Sequence, residues 1–121
     1  MPSKSFRLLP NGDPTTGMQP SNFTPPETFT SDDKTELNHT FFATSDESIL
    51  SGVWECAPCR EDVESYPVHE MMTVISGSVT ATNEDGQPET FTSDDVFFLS
   101  KGTKCTWHIT ETIHKLYLIV A

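Results

Sequence analysis

Residues 68–82 place the tightest limit on the fold, because they read as two β-strand segments joined at Ser76-Gly77. β-branched residues recur in both segments, and glycine supplies the backbone freedom that a reversal needs. The stretch therefore predicts a β-hairpin. Strand alternation then puts Glu70, Met72 and Val74 on one face and His69, Met71, Thr73 and Ile75 on the other. Since a carboxylate among apolar side chains is costly to bury without a partner, Glu70 needs an explanation.

The rest of the chain repeats the pattern of short strands between turn residues. Asp85-Gly86 is a strong hairpin signal, and Ser100-Lys101-Gly102 ends a continuous apolar run. Strands at this spacing are typical of a β-sandwich or barrel, which predicts an all-β fold. Besides the two arms of the hairpin, the predicted strands are 38–44, 49–56, 62–66, 89–92, 96–99, 105–109 and 114–120.

The first 37 residues differ from the rest of the chain. Six of the nine prolines lie in the first 26 residues, which excludes a regular helix or a central strand there. We expect an extended arm, 1–37, that lies over the domain or over a neighbouring subunit, followed by a β-barrel domain, 38–121. Residues 30–33 resemble a helix N-cap and predict one helical turn at 34–37.

Composition limits the class of protein. At 121 residues the chain forms one domain, and it contains no apolar run of about 18 residues that could span a membrane. The formal net charge of −11 would repel a phosphate backbone, so we expect no nucleic-acid partner. The N-terminus shows no secretory signal pattern, which predicts a cytoplasmic protein.

The three cysteines cannot all pair within one chain. Cys56 and Cys59 form a C-x-x-C motif, and Cys105 stands alone. In a cytoplasmic protein these are reduced thiols. The motif follows a strand rather than opening a helix, so structural thiols are favoured over a redox or zinc site, and both alternatives stay open.

Several motifs together resemble the cupin superfamily. Glu70 and Gly77 match the end of the first cupin motif, and residues 94–102 resemble the second. The pattern is most similar to the ureidoglycine-aminohydrolase-like and ethanolamine-utilisation branch, through Gly52-Val53-Trp54-Glu55, Glu70, Trp107 and Lys115-Leu116-Tyr117. The resemblance covers about residues 40–120, and it implies a double-stranded β-helix (jelly roll) and a homodimer.

The resemblance also maps the metal positions of cupins onto this chain. They fall on Glu64, Tyr66, Glu70 and Cys105, none of which is a histidine. A neutral phenol is a poor ligand, and a thiolate beside carboxylates is a mixed set in hardness. We therefore expect no cofactor. A divalent metal held by these four residues remains the alternative.

Alternation brings a set of polar and aromatic residues to the predicted barrel interior. We expect Glu70 to be the catalytic group. Burial and repulsion from a second carboxylate nearby, Glu64, would raise the pKa of at least one of the two carboxyl groups and create an acid–base group near neutral pH. The other predicted ligand-binding residues are Glu64, Tyr66, Cys105, Trp107, Lys115 and Tyr117. The alternative is that these side chains fill the core or bond to the backbone.

These observations predict a single-domain cupin that binds a small organic metabolite in the barrel, for example a carboxylated or nitrogen-bearing one. Acid–base or aminohydrolase-like chemistry is one form of this function. A non-catalytic ligand sensor or assembly module without metal is the other, since a fold does not fix a function.

Overall fold

The computed structural model describes residues 3–121, and almost all of its regular secondary structure is β-strand. One short 3₁₀ turn, Pro26–Thr28, lies in the N-terminal arm. The strands are β1 (Gln19–Pro20), β2 (Glu36–Ala43), β3 (Ile49–Cys56), β4 (Cys59–Val63), β5 (His69–Asn83), β6 (Pro88–Phe91), β7 (Val96–Leu99) and β8 (Cys105–Val120).

The two longest strands connect the two halves of the sheet. All pairs are antiparallel, in the order β1-β2-β3-β8-β5-β6, with β4 also on β8 and β7 also on β5. β8 pairs with β4 through Cys105–Ile109 and with β3 through Ile113–Val120. β5 pairs with β7 near its start and with β6 near its end. The sheet thus rolls into two layers, which confirms the predicted all-β jelly roll.

The core lies where the inner faces of both layers meet. It draws on the middle of β5, the end of β3 and both halves of β8, because alternating residues of each strand point inward. The buried cluster consists of Cys56, Cys59, Met72, Val74, Val79, Phe97, Leu99, Trp107, Ile109 and Ile113.

The predicted hairpin at 68–82 is wrong, because β5 is one continuous strand. Gly77 has a φ of +90°, but the chain does not reverse there. A Cβ atom at this position would lie 2.0 Å from the carbonyl oxygen of Thr112, so glycine permits a close approach of β8. The β5–β8 register shifts around this point, which marks a bulge instead of a turn.

Three other local predictions are also wrong. The helical turn at 34–37 is absent, since residues 36 and 37 already belong to β2 and pair with β3. The strands predicted at 105–109 and 114–120 form a single strand, β8, because residues 110–113 stay extended. The strand predicted at 62–66 lies three residues earlier, at Cys59–Val63.

Part of the arm lies against the barrel. β1 pairs with the edge of β2, and Phe29 forms an isolated bridge with Cys59. The division of the chain at residue 37 stays a prediction. Within residues 3–121, no helix has the length and apolar character required to cross a membrane.

Candidate functional site

Glu70 faces the interior, and both of its carboxylate oxygens have a partner. Lys115 Nζ lies 2.9 Å from Oε2, and the Tyr66 hydroxyl donates a hydrogen bond of 2.5 Å to Oε1. The side chains of Glu70 and Lys115 are each only 6% exposed. Burial of two charges is tolerated when they are paired and when additional hydrogen bonds satisfy them, as they are here.

Three side chains besides Glu70 contact the ammonium group of Lys115. Its Nζ lies 2.9 Å from Met72 Sδ, 4.8 Å from the ring centroid of Trp54 and 5.4 Å from that of Trp107. Both indole faces therefore stabilise the ammonium through cation–π attraction. Lys115 comes from β8, Trp54 from β3 and Met72 from β5, so three strands fix the position of one charge.

This ion pair lies at the wall of a cavity of about 380 Å³. Its volume falls in the range of small-ligand sites, and its lining combines aromatic and aliphatic walls with a few polar groups, as such sites do. The lining consists of Phe23, Thr24, Asn38, Thr40, Leu50, Trp54, Cys59, Glu61, Val63, Tyr66, Pro67, Val68, Glu70, Trp107, Lys115, Tyr117 and Ile119.

Two tyrosines present hydroxyl groups to this cavity. Tyr117 donates to Asn38 Oδ1 at 2.8 Å, and its oxygen lies 3.0 Å from Thr40 Oγ1. Burial raises the pKa of Tyr117, and hydrogen bonds from neighbours only partly oppose that effect. Burial and the adjacent Glu70 carboxylate raise the pKa of Tyr66 strongly. Both phenols are therefore protonated donors at neutral pH.

A second buried carboxylate, Glu36, ties the arm to the cavity. Thr24 N and Phe23 N donate to Glu36 at 2.8 Å and 3.0 Å, Ser21 donates through its hydroxyl, and Trp54 Nε1 donates at 3.2 Å. Burial would raise the pKa of Glu36, but the hydrogen bonds from Ser21, Phe23 and Thr24 lower it overall. Glu36 thus fixes one indole of the wall and two arm residues of the lining.

The structure brings five of the seven predicted site residues to the cavity: Tyr66, Glu70, Trp107, Lys115 and Tyr117. It does not bring Glu64 there. β4 ends at Val63, so alternation no longer applies, and the Glu64 side chain is 83% exposed beside Lys104 at 3.6 Å. Cys105 is buried at the start of β8 but does not line the cavity.

Sequence reasoning missed several lining residues, above all Glu61 and Trp54. Glu61 alternates with Cys59 and Val63, and all three line the cavity, so a strand started at residue 59 would have predicted it. Trp54 lies within the Gly-x-Trp-Glu motif but was not expected at the site. No local signal pointed to Phe23 or Thr24, because the arm reaches the cavity through tertiary contacts.

The residues present do not fit the metal site of cupins. Of the four positions that the resemblance gives, Glu64 is exposed and Cys105 lies outside the cavity. Both oxygens of Glu70 are already engaged, Oε2 by the Lys115 ammonium and Oε1 by the Tyr66 hydroxyl. Across residues 3–121, no three His, Cys, Asp or Glu side chains lie together in a metal-binding group.

Cys56 and Cys59 are free thiols at the bend between β3 and β4, both buried. The interaction between the two neighbouring thiols raises the pKa of Cys56 and lowers that of Cys59. The Cys56 sulfur also lies 3.5 Å from Thr24 Oγ1. Their contacts account for a packing role, and Cys59 in addition lines the cavity.

A two-layer antiparallel roll that encloses a cavity is the architecture of ligand-binding jelly rolls. The sequence model of the EutQ-like cupin domain matches residues 43–117. The chain belongs to this family, which confirms the expected cupin superfamily and its ethanolamine-utilisation-like branch.

Solved structures agree with this assignment. A DUF861-family protein of unknown function from Pseudomonas syringae is 25% identical, with a TM-score of 0.78 over 90% of this chain. This chain covers 46% of that protein, about half of its length. The ethanolamine utilization protein Q of Salmonella typhimurium is similar in fold, with 17% identity, a TM-score of 0.60 and coverage of 71% of this chain and 69% of its own. No curated protein matches the sequence.

Proposed function

We propose that this protein binds a small organic molecule in the cavity between Glu70, Lys115 and the two tryptophans. The observation that carries the proposal is the buried Glu70–Lys115 ion pair at the wall of a cavity of about 380 Å³. A buried ion pair is often no more stabilising than a well-packed apolar pair, so its presence at a cavity favours a role in recognition.

The cavity offers a ligand both polar and apolar contacts. Tyr66 and Tyr117 are protonated phenols, and Trp54 and Trp107 supply large flat surfaces. Sites of this composition orient a ligand through a few polar groups and gain affinity from burying its apolar part. A carboxylated or nitrogen-bearing metabolite would use both kinds of contact.

A thermal-shift screen with a metabolite library tests the binding proposal, because a ligand of the folded state raises its melting temperature. Val68→Phe enlarges a lining side chain and should fill part of the cavity. Val96→Phe is the matched control, because Val96 is an exposed strand residue outside the lining. A true ligand stabilises the wild type and Val96→Phe but not Val68→Phe. Equal stabilisation of both variants would place the ligand elsewhere.

Acid–base chemistry at Glu70 is the catalytic form of this proposal. Since both oxygens of Glu70 are engaged, a substrate proton must reach the oxygen now bonded to Tyr66 or to Lys115. Glu70→Gln should then abolish turnover of an identified ligand while leaving binding measurable. A non-catalytic sensor would show no turnover in either protein.

We further propose that two copies of the chain associate through the outer face of the layer that β2, β3, β8, β5 and β7 form. One row across five strands contains Phe98, Met71, Leu118, Ser51 and Phe42, paired in register. Four of the five are apolar and at least a third exposed. Monomers rarely expose a continuous apolar patch of this kind.

A second copy is the occupant that best fits this row. No charged residue lies in it, whereas a basic partner attracted by the net charge of −11 would contact acidic side chains. Sedimentation velocity should show a dimer for the wild type and a monomer for Phe98→Glu, with Glu89→Gln as an exposed control. A monomeric wild type at micromolar concentration would refute the homodimer.

The three buried free thiols fit the expected cytoplasmic location.

A further inference from the structure

Glu61 is the one cavity-lining carboxylate that lacks a partner among the described residues. It lies on β4 opposite Trp107, and it forms no ion pair and accepts no side-chain hydrogen bond within residues 3–121. The other lining carboxylate, Glu70, differs sharply, because Tyr66 and Lys115 each donate to one of its oxygens. Burial, followed by the charge of Glu27, raises the pKa of Glu61, which reflects the same lack of a counter-charge.

One N–H of the Lys115 ammonium makes no hydrogen bond within residues 3–121. An ammonium group has three N–H donors, and two of them are directed to Glu70 Oε2 and Met72 Sδ. In the described part of the chain this third N–H has only the indole faces of Trp54 and Trp107 beside it, so an acceptor on a ligand can compete for it. Among the described residues the cavity therefore contains one positively charged donor and one negatively charged acceptor that lack a hydrogen-bond partner.

We propose that the cavity selects a dipolar small molecule, whose amino group binds Glu61 and whose carboxylate or carbonyl oxygen binds Lys115. This inference rests on the proposed function, since it assumes that the cavity is the ligand site. The charges of Glu70 and Lys115 cancel, so Glu61 leaves the lining with a net negative charge. The amino group is therefore the main determinant, and a carboxylate without an amine binds poorly.

The probes are straight-chain ω-amino acids from glycine to 6-aminohexanoate, each compared at pH 7 with the amine and the carboxylate of equal length. The series finds the spacing between the two poles without assuming it. Indole fluorescence is a local readout, because both tryptophans of the chain, Trp54 and Trp107, line the cavity. We expect at least one ω-amino acid to bind about tenfold more tightly than the matching carboxylate, the effect of one charge-assisted hydrogen bond.

Glu61→Gln should remove that tenfold advantage without weakening the binding of the matching carboxylate, because it also removes the negative charge that repels a carboxylate. Glu61→Asp keeps the charge and should retain part of the advantage, while Glu89→Gln, an exposed substitution on β6, should change nothing. Equal affinity for amino acid and carboxylate in the wild type would overturn the inference. So would an equal loss of both in Glu61→Gln.

The library screen separates this failure from failure of the proposed function. Ligands that lack an amino group but lose binding in Val68→Phe would leave the cavity as the ligand site and refute the dipolar selection. If no compound alters the indole fluorescence or the melting temperature, the proposed function itself fails, and the inference fails with it.

Discussion

Removal of both partners of the Glu70–Lys115 pair should destabilise the fold by much less than the sum of the two single removals. At 2.9 Å and an effective dielectric constant of about 20, the attraction between the two charges is about 6 kcal/mol. Lys115→Met leaves the Glu70 carboxylate buried with Tyr66 as its one direct partner, at a cost of about 3–5 kcal/mol. Glu70→Gln leaves the ammonium unpaired, and we expect a similar cost.

Urea unfolding of both single variants and of the double variant measures the coupling energy. In the double variant neither charge is left buried, so its loss of stability should fall short of the sum of the single losses by at least about 2 kcal/mol. Each single loss is a large part of the free energy of unfolding of a typical domain, which is roughly 5–15 kcal/mol. The urea titrations should therefore be done at the temperature of maximum stability.

The exposed pair Glu64–Lys104 supplies the control for this cycle. Its atoms lie 3.6 Å apart, with side chains 83% and 55% exposed, so the same cycle there should give a coupling below about 1 kcal/mol. If the losses at Glu70 and Lys115 add to within about 0.5 kcal/mol, the two side chains are not coupled, and the reasoning from the ion pair is refuted.

Three further predictions use stability as the readout. The pKa of Glu36 lies below its ordinary value of 4.5, so the ionised carboxylate stabilises the folded state. Glu36→Gln should therefore lower the free energy of unfolding most above about pH 5, and the loss should shrink as the pH falls below 4.5. A loss that is independent of pH would contradict this. The pKa of Glu61 is raised, so Glu61→Gln should stabilise the protein at pH 7, with a gain that disappears below pH 4.5. Gly77→Ala should cost at least about 2 kcal/mol through positive φ and a clash with Thr112, whereas Gly86→Ala, with open space around it, should cost about 1 kcal/mol; equal losses would contradict the close approach of β8.

Much of the fold was predictable because alternation and turn residues are local signals. The strands at 49–56 and 96–99 have the predicted bounds, and the hairpin through Asp85-Gly86 forms as expected. Gly77 was misread because a glycine required by a turn and a glycine required by a neighbouring strand look alike in sequence. The distinction depends on Thr112, which is distant along the chain.

The site was predictable in its centre but not at its edges. Alternation from Glu70 correctly predicted an inward carboxylate, and the facing positions on β8 followed by the same rule. The second carboxylate was placed at Glu64 instead of Glu61 because alternation was carried from Tyr66 back to Glu64. The structure ends β4 at Val63, and its inward residues are Cys59, Glu61 and Val63. No periodicity could have predicted Phe23 or Thr24, since Glu36 holds them there through long-range hydrogen bonds.

The position of Lys115 explains how this chain keeps a carboxylate inside a roll that lacks a fitting metal-ligand set. A buried carboxylate needs a cation or several hydrogen-bond donors, and at Glu70 a side chain from β8 supplies a cation at 2.9 Å. A tethered ammonium differs from a metal ion in two respects: it cannot leave the site, and it retains a directional N–H for a ligand. The Glu70–Lys115 pair therefore fixes the charge at the centre of the cavity, whereas the carboxylate of Glu61 has no partner within residues 3–121. Specificity in this cavity should consequently change with substitutions on β4, while substitutions at Glu70 or Lys115 should change stability first.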